Sequence, residues 1–125
     1  MSTLGELTIQ TEIHPSGRWI TVPLVVGRAR RISPVLDTGA PVSGISPRIE
    51  ALLLANGLLR PGTTPNRHHL VELSVANQPL PDIEVAVIRR LDRLDVDGLL
   101  GLDFLSLFER IHFHTRSLQL ILESG

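Results

Sequence analysis

In Ile32-Ser33-Pro34-Val35-Leu36-Asp37-Thr38-Gly39-Ala40, an apolar, strand-like run stops at an acid. A carboxylate at the end of an apolar strand is costly to desolvate unless it is hydrogen-bonded or can hold a proton. Gly39 permits a tight turn or the close approach of another chain, and Thr38 supplies a hydroxyl that can bond across such a turn. Two such loops facing each other would form a carboxylate pair that shares one proton and can activate a water molecule.

The chain around this stretch has 125 residues, a formal net charge of −1 and no cysteine. The length suits one domain with a modest core, which we predict to span residues 1–125. A near-neutral charge gives no reason to expect a nucleic-acid partner, and the lack of cysteine excludes disulfides and thiolate metal sites. No signal peptide or membrane-spanning run is visible, so we expect a cytoplasmic protein with no membrane partner.

The first third of the chain has the pattern of a β-rich domain. Apolar and polar residues alternate in residues 7–13, which include β-branched residues, and residues 19–26 form a second predicted strand whose proline suggests an edge position or a bulge. The segment between them, residues 14–17, has the composition of a turn. A third predicted strand, residues 31–36, leads directly to Asp37.

A helix is predicted after the acidic loop. Ser46 is a good N-cap residue and Pro47 is favoured at the first helical position. Apolar residues then recur at helical spacing, and Gly57 provides a stop. We place this helix at about residues 47–56. The proline-rich residues 58–69 that follow could form a short hairpin or a loop.

The second half repeats the outline of the first. Residues 70–75 and 80–88 are predicted to be partner strands, and residues 89–97 a charged loop. Leu99 and Leu100 form a short buried strand that ends at Gly101, a position suited to close approach.

The predicted end of the chain has two further elements. Residues 102–110 read as a helix that turns Leu102, Leu105 and Phe108 to one side. A hairpin then pairs residues 111–114 with residues 118–122. Trp19 and Phe113 are interpreted as core residues.

Two segments together resemble the retropepsins, the short retroviral-type aspartic proteases. Leu36-Asp37-Thr38-Gly39-Ala40 resembles their active-site loop, and Leu99-Leu100-Gly101 resembles the second apolar-apolar-glycine segment that crosses it. The order and interval of the two segments match as well, and the resemblance covers residues 7–122. It implies a mostly β, retropepsin-like acid-protease fold, namely a closed β-barrel-like half-domain with one or two short helices that assembles as a symmetric homodimer.

The resemblance implies a function for the acidic loop. Asp37 would be the catalytic residue, with Thr38, Gly39 and Ala40 as the active-site loop. Since the chain has one such loop, a second copy of the chain would supply the other aspartate. The expected activity is hydrolysis of peptide bonds in a polypeptide substrate, with no cofactor and no metal.

One region departs from the retropepsin pattern. The family has a long glycine-rich flap that closes over the substrate, whereas here only Pro61, Gly62, Thr63 and Thr64 remain as a candidate flap. Prolines withdraw donors from a strand ladder, so this flap is predicted to be either stunted or a mobile loop. The alternative function is therefore a dimer of the same fold that binds a peptide or a protein partner with little or no cleavage.

Other polar residues have simpler interpretations. Asp103 is interpreted as a structural acid near a helix start. His112 and His114 share one strand face but have no evident third metal ligand. His68 and His69 are assigned to a solvated loop. The acids of residues 92–97 lack the first ligand and the closing glutamate of a calcium loop.

Overall fold

The structure is a computed structural model that describes residues 5–124, and it is built mostly from short strands. The strands are β1 (Glu6–Gln10), β2 (Glu12–Ile13), β3 (Ile20–Thr21), β4 (Leu24–Val26), β5 (Arg30–Ile32), β6 (Val35–Leu36), β7 (Gly44–Ile45), β8 (Leu59–Pro61), β9 (Arg67–Leu70), β10 (Ser74–Val75), β11 (Gln78–Pro79), β12 (Glu84–Val87), β13 (Gly98–Leu100), β14 (Arg110–His114) and β15 (Gln119–Glu123). The helices are α1 (Pro47–Ala55), α2 (Leu91–Leu94) and α3 (Leu102–Leu105).

These strands form three open sheets. Their strand orders are β1-β15-β14, β11-β10-β4-β5 and β2-β3-β6-β13-β7-β12-β9-β8. The closed barrel implied by the family resemblance is therefore wrong for residues 5–124. The end strands of the largest sheet, β2 and β8, do not pair with each other, and Pro61 in β8 has no N–H to offer a further strand.

Each of the first three predicted strands is divided where it passes from one sheet to another. Residues 7–13 become β1 and β2, residues 19–26 become β3 and β4, and residues 31–36 become β5 and β6. Pro23 and Pro34 lie at two of these breaks, where a missing N–H costs no ladder bond. The carbonyl of Pro34 still accepts a hydrogen bond from the Val22 N–H at 2.9 Å, which holds β3 beside β6.

Helix α1 lies where the sequence predicts it. The Ser46 hydroxyl accepts a hydrogen bond from the Ile49 N–H at 3.1 Å, and Pro47 occupies the first helical position. The helix buries Ile49 and Leu53. Its last carbonyls are capped by the Asn56 N–H. Local capping and one apolar face are thus sufficient to fix this helix.

Removing the Ser46 hydroxyl is expected to lower the free energy of unfolding by about 1–2 kcal/mol. Ser46 is fully buried, so Ser46→Ala leaves the Ile49 N–H without a partner and without water. Chemical denaturation of the two proteins would measure the difference. Ser117→Ala, in an exposed turn, is the matched control and should change stability by less than about 0.5 kcal/mol. Equal effects of the two changes would contradict the cap.

The strand pairing predicted for the second half is only partly correct. The chain turns after Leu70, and Glu72 there has a φ of 52°. The Leu80 N–H bonds the Leu73 carbonyl at 2.9 Å. The rest of residues 80–88 does not pair with residues 70–75, because β12 pairs antiparallel with β9 and parallel with β7. The short β10 pairs with β4 and with β11. Pro81, which has no N–H, follows β11 and separates it from β12.

Two predicted segments near the C-terminal end also differ from the structure. The charged loop predicted at residues 89–97 contains the one-turn helix α2, which buries Leu91. The helix predicted at residues 102–110 is only the four-residue α3, because the chain joins β14 once the Glu109 N–H bonds the Glu123 carbonyl at 2.7 Å. Leu102 is 49% exposed, and Phe104 is the aromatic residue that α3 buries.

The core has two parts. The larger cluster joins the sheets and helices α1 and α3, and its largest fully buried side chain is Phe104. A smaller cluster packs around Val35 and Leu99, beside the acidic loop. The predicted final hairpin is confirmed as β14 and β15, and β1 completes that sheet. Within residues 5–124, none of the helices has the length and apolar character needed to cross a membrane.

Candidate active site

The structure places the two predicted landmarks side by side. Strand β6 runs parallel to β13, with Val35 opposite Leu99 and Leu36 opposite Leu100. The Asp37 N–H donates a hydrogen bond to the Leu100 carbonyl at 3.0 Å. The end of β13 therefore fixes the point at which the acidic side chain leaves the sheet.

The loop after β6 is a tight turn that holds the carboxylate. Oδ1 of Asp37 accepts a hydrogen bond from the Gly39 N–H at 3.0 Å, and the Asp37 carbonyl accepts one from the Ala40 N–H at 3.2 Å. Within residues 5–124, Oδ2 has no hydrogen-bond partner. Thr38 and Gly39 are exposed, so the loop is open to a water molecule, a substrate or another chain.

Gly101 lies directly beneath this loop. A Cβ atom at Gly101 would lie 2.5 Å from the Ala40 carbonyl oxygen and 3.0 Å from the carbonyl carbon of Val42. Only a glycine therefore allows the two segments to cross at this distance, which is the role predicted for this position. The Ala40 carbonyl also accepts a hydrogen bond from the Leu102 N–H at 2.8 Å.

Ser43 and Asp103 hold the two crossing segments together through hydrogen bonds. The Ser43 hydroxyl donates to Oδ1 of Asp103 at 2.7 Å and accepts from the Gly101 N–H at 3.0 Å. Oδ2 of Asp103 accepts from the Ser43 N–H at 2.9 Å, and its Oδ1 also accepts from the Phe104 N–H at 2.7 Å. Asp103 thus has the structural role predicted for it. Ser43 was missed, because one serine in a small-residue loop gives no distinctive signal.

A cavity of about 270 Å³ opens beside Asp37. Its wall is as polar as it is apolar, and the apolar side chains in it are those of Trp19, Val35, Leu36, Leu91, Leu94, Val96 and Leu99. Arg90 is the other charged residue that lines it. Trp19 is half-buried and forms part of this wall, so its assignment as a simple core residue was incomplete. Helix α2 was missed here because a four-residue helix has almost no periodic pattern.

A larger cleft lies elsewhere and does not include the acidic loop. Its volume is about 460 Å³, and it is lined mainly by residues from β8 to β11, including Arg60, Glu72 and Asp82. None of the residues predicted for the active site lines it. We therefore centre the candidate active site on the smaller cavity, where a carboxylate lies beside several apolar side chains.

The candidate flap forms a short hairpin, which settles the choice between hairpin and loop. Strands β8 and β9 pair antiparallel, and the Gly62 N–H bonds the Arg67 carbonyl at 3.0 Å. The Thr63 N–H and hydroxyl donate to Oε2 and Oε1 of Glu84, each at 2.9 Å. The Val87 N–H also bonds the Asn66 carbonyl at 3.2 Å. The turn is thus attached to β12 by side-chain and backbone bonds.

The hairpin and Asp37 are not brought together in the single chain. Strands β13, β7 and β12 lie between β6 and the hairpin in the sheet. None of Pro61, Gly62, Thr63 and Thr64 lines the cavity beside Asp37. Pro61 and Thr64 instead line a groove of about 250 Å³ against Leu54 of α1.

The hydrogen bonds that attach the hairpin to Glu84 favour the charged form of this side chain. The hydrogen bonds from the Thr63 N–H and hydroxyl lower the pKa of Glu84 below its usual 4.5, and the charges of Arg67 and His69 add to this effect. A lowered folded pKa stabilises the folded state above pH 4.5, and the contribution is lost as the pH falls through the folded pKa.

Replacing Glu84 with Gln is therefore expected to reduce stability most at neutral pH. The difference from the wild-type protein should shrink below pH 4.5, where the wild-type side chain also loses its charge. Urea denaturation at several pH values would measure it. Glu109→Gln, an exposed residue, is the control and should give a pH-independent difference near zero. A Glu84→Gln difference that grows in acid would contradict the assignment.

Three of the four histidines singled out in the sequence lie close to acidic side chains. Nε2 of His68 lies 2.7 Å from Oε2 of Glu50, and His69 lies between two acids, so the prediction of a solvated loop is wrong for both histidines. Nε2 of His112 lies 3.5 Å from Oε2 of Glu123, while His114 is exposed. Within residues 5–124, no group of three potential metal ligands is found.

Asp97 is a structural residue and does not belong to a calcium loop. Its Oδ2 accepts a hydrogen bond from the Ser33 N–H at 2.8 Å, and its Oδ1 lies 2.9 Å from an Arg48 guanidinium nitrogen. These bonds connect the segment before β13 to the segment before β6. Asp97 therefore helps to align the two strands that position Asp37.

Comparison with known proteins identifies the fold. No protein-family model and no curated protein matches the sequence. Among solved structures, a retropepsin-like aspartic protease from Rickettsia conorii is 19% identical, with a TM-score of 0.61 over 99% of this chain and 97% of that one. The retroviral protease-like domain of Ddi1 from Leishmania major is 16% identical, with a TM-score of 0.59 over 82% of this chain and 89% of that one. The chain therefore has the retropepsin-like fold that its sequence predicts.

Proposed function

We propose that this chain is an aspartic endopeptidase whose active site forms between two copies. Asp37 of each copy would face its twin across a two-fold axis. Two carboxyl groups about 3 Å apart cannot both ionise, so the pair would hold one proton between them. The ionised member would take a proton from a bound water as it attacks the peptide carbonyl, and the protonated member would polarise that carbonyl.

The position of Asp37 is the observation that supports this proposal. The carboxylate leaves the sheet where β6 and β13 run side by side, and the Gly39 N–H holds one of its oxygens. The crossing beneath it is fixed by Gly101 and Ser43. A carboxylate that is held by one donor and left open at its other oxygen is suited to binding a water molecule.

The need for a second copy follows from the acids near the site. Asp37 is the only acid among the described residues that line the cavity. Asp103 lies below the crossing, and both of its oxygens already bond the Ser43 or Phe104 groups. One chain therefore offers one available carboxylate. Since Thr38 and Gly39 are exposed, a second loop can approach them.

A polypeptide in extended form is the substrate that suits this site. The cavity beside Asp37, which contains several apolar side chains, can take a large side chain, and a two-fold axis would place a second such cavity on the other side of the scissile bond. The reaction requires only water and the two carboxyl groups. We therefore propose no cofactor and no metal for this activity.

Cleavage of an unfolded protein tests the proposal. We expect the protein to cleave an unfolded casein-type substrate between about pH 4 and 7, and pepstatin-type inhibitors to block the cleavage. A serine-protease inhibitor serves as the control and should have no effect. Sedimentation at the assay concentration should show a dimer. A strict monomer that cleaves, or a dimer that leaves the casein-type substrate intact, would overturn the proposed activity.

A further inference from the structure

Arg90 is an unpaired charge at the edge of the active-site cavity. It immediately precedes α2 and lines the cavity together with Asp37. Within the described residues it forms no salt bridge, whereas Arg31, Arg48 and Arg67 each do. An arginine offers five donors in a fixed fork and is always charged, so it favours a carboxylate partner.

The acids of the same segment do not neutralise this charge. Oδ1 of Asp92 accepts a hydrogen bond from the Arg48 N–H at 3.3 Å, which directs Asp92 towards α1. The other aspartate, Asp95, forms no salt bridge in the part of the chain that the structure describes. Neither aspartate lines the cavity. Among the residues that line the cavity, Arg90 is therefore the one positively charged residue and Asp37 the one acid.

This inference rests on the function proposed above. We infer that the preferred substrate carries an acidic side chain close to the large apolar residue that enters the cavity. Arg90 would select this acidic side chain. The cavity has room for about one large side chain and holds no cationic group besides Arg90. An extended peptide turns alternate side chains to the same face, so a neighbouring side chain passes over the edge of the cavity. Arg90 is thus a specificity-determining residue.

The size of the preference follows from the exposure of Arg90. The residue is exposed, so a charge pair there is partly screened by water and salt. We expect a glutamate at the best position to improve binding about fivefold over glutamine, and lysine at that position to weaken it. The preference should fall as salt is raised to about 1 M, because screening then acts over a few ångströms.

A binding experiment tests the inference separately from catalysis. The Asp37→Asn protein is titrated with peptides that share an apolar centre and carry Glu, Gln or Lys at each flanking position in turn. Trp19 is the one tryptophan of the chain and lies in the cavity wall, so its fluorescence reports binding directly. At one or more positions the Glu peptide is expected to bind about fivefold more tightly than the Gln peptide.

Variants of Arg90 identify the residue responsible. In the same background, Arg90→Gln should remove the preference for Glu, and Arg90→Glu should reverse it in favour of Lys. Arg93→Gln is the matched control, because Arg93 lies on the same helix but does not line the cavity. It should keep the preference. Equal binding of the Glu, Gln and Lys peptides, or loss of the preference in Arg93→Gln alone, would overturn the inference.

The inference and the proposed activity fail in different ways. Cleavage of casein without any charge preference would remove the role of Arg90 and leave the protease intact. A charge preference that depends on Arg90, in a protein that does not cleave, would support the binding site and contradict the protease.

Discussion

Replacing Asp37 with Asn is expected to lower kcat for peptide cleavage by at least about 1000-fold and to leave the fold intact. An amide cannot accept the proton of the attacking water. Asparagine has the same shape, and its Oδ1 can still accept the hydrogen bond that the Gly39 N–H donates at 3.0 Å. The loop should therefore keep its geometry while the chemistry is lost. Initial rates on an unfolded substrate would measure the effect.

Asp95→Asn is the matched control for this experiment. Asp95 is exposed and has a φ of 55°, a conformation that asparagine adopts readily, and it does not line the cavity. Its replacement should leave kcat within about twofold of wild type. Activity that survives Asp37→Asn would show that this carboxylate is not the catalytic group.

Mixing the two proteins gives a sharper test of a site shared by two copies. Excess Asp37→Asn protein should capture wild-type subunits in inactive pairs, so that activity falls below the value expected from dilution with buffer. An equal amount of Asp95→Asn protein should not inhibit. Activity that depends only on the amount of wild-type chain would mean that each chain acts alone.

Replacing Gly101 with Ala is expected to lower the free energy of unfolding by about 3 kcal/mol and kcat/KM by about 100-fold. The added methyl group would lie 2.5 Å from the Ala40 carbonyl oxygen, so the acidic loop must move away from β13. The neighbouring atoms are backbone atoms and cannot rotate aside. Thermal or urea denaturation, together with initial rates, would measure both effects.

Gly17→Ala separates steric clash from backbone strain. Gly17 has a φ of 77°, but no atom lies within 4 Å of a Cβ placed there. Its replacement should cost about 1 kcal/mol through strain alone and leave kcat/KM unchanged. If Gly101→Ala were as mild as Gly17→Ala, the close packing of the two segments would not be what positions Asp37.

The parts of the fold that were predicted correctly have strong local signals. Helix α1 combines an N-cap at Ser46, Pro47 and a terminal Gly57, and these three features act within the segment itself. The crossing of β6 and β13 was expected from the retropepsin resemblance, in which one apolar pair precedes the Asp-Thr-Gly loop and a second precedes Gly101. Since Gly101 can be recognised as a position for close approach, its contact with the acidic loop could also be expected from sequence.

The errors arise where distant contacts decide the structure. Residues 70–75 have the alternation of one strand, but Glu72 adopts a positive φ and the chain turns there. Strand β12 pairs with β7 as well as β9, and a sequence gives no signal for the parallel pairing. Helix α2 is one turn long and rich in charge, so the cavity wall that it provides beside Asp37 could not be predicted.

The single available carboxylate of each chain has a consequence for how the proposed enzyme would behave in dilute solution. The concentration of paired sites would fall with the square of the concentration of chains once that drops below the dissociation constant of the pair. The activity measured per milligram of protein would then depend on the protein concentration of the assay. The proposed enzyme would therefore have little activity at low chain concentration and would gain activity per chain as its concentration rises.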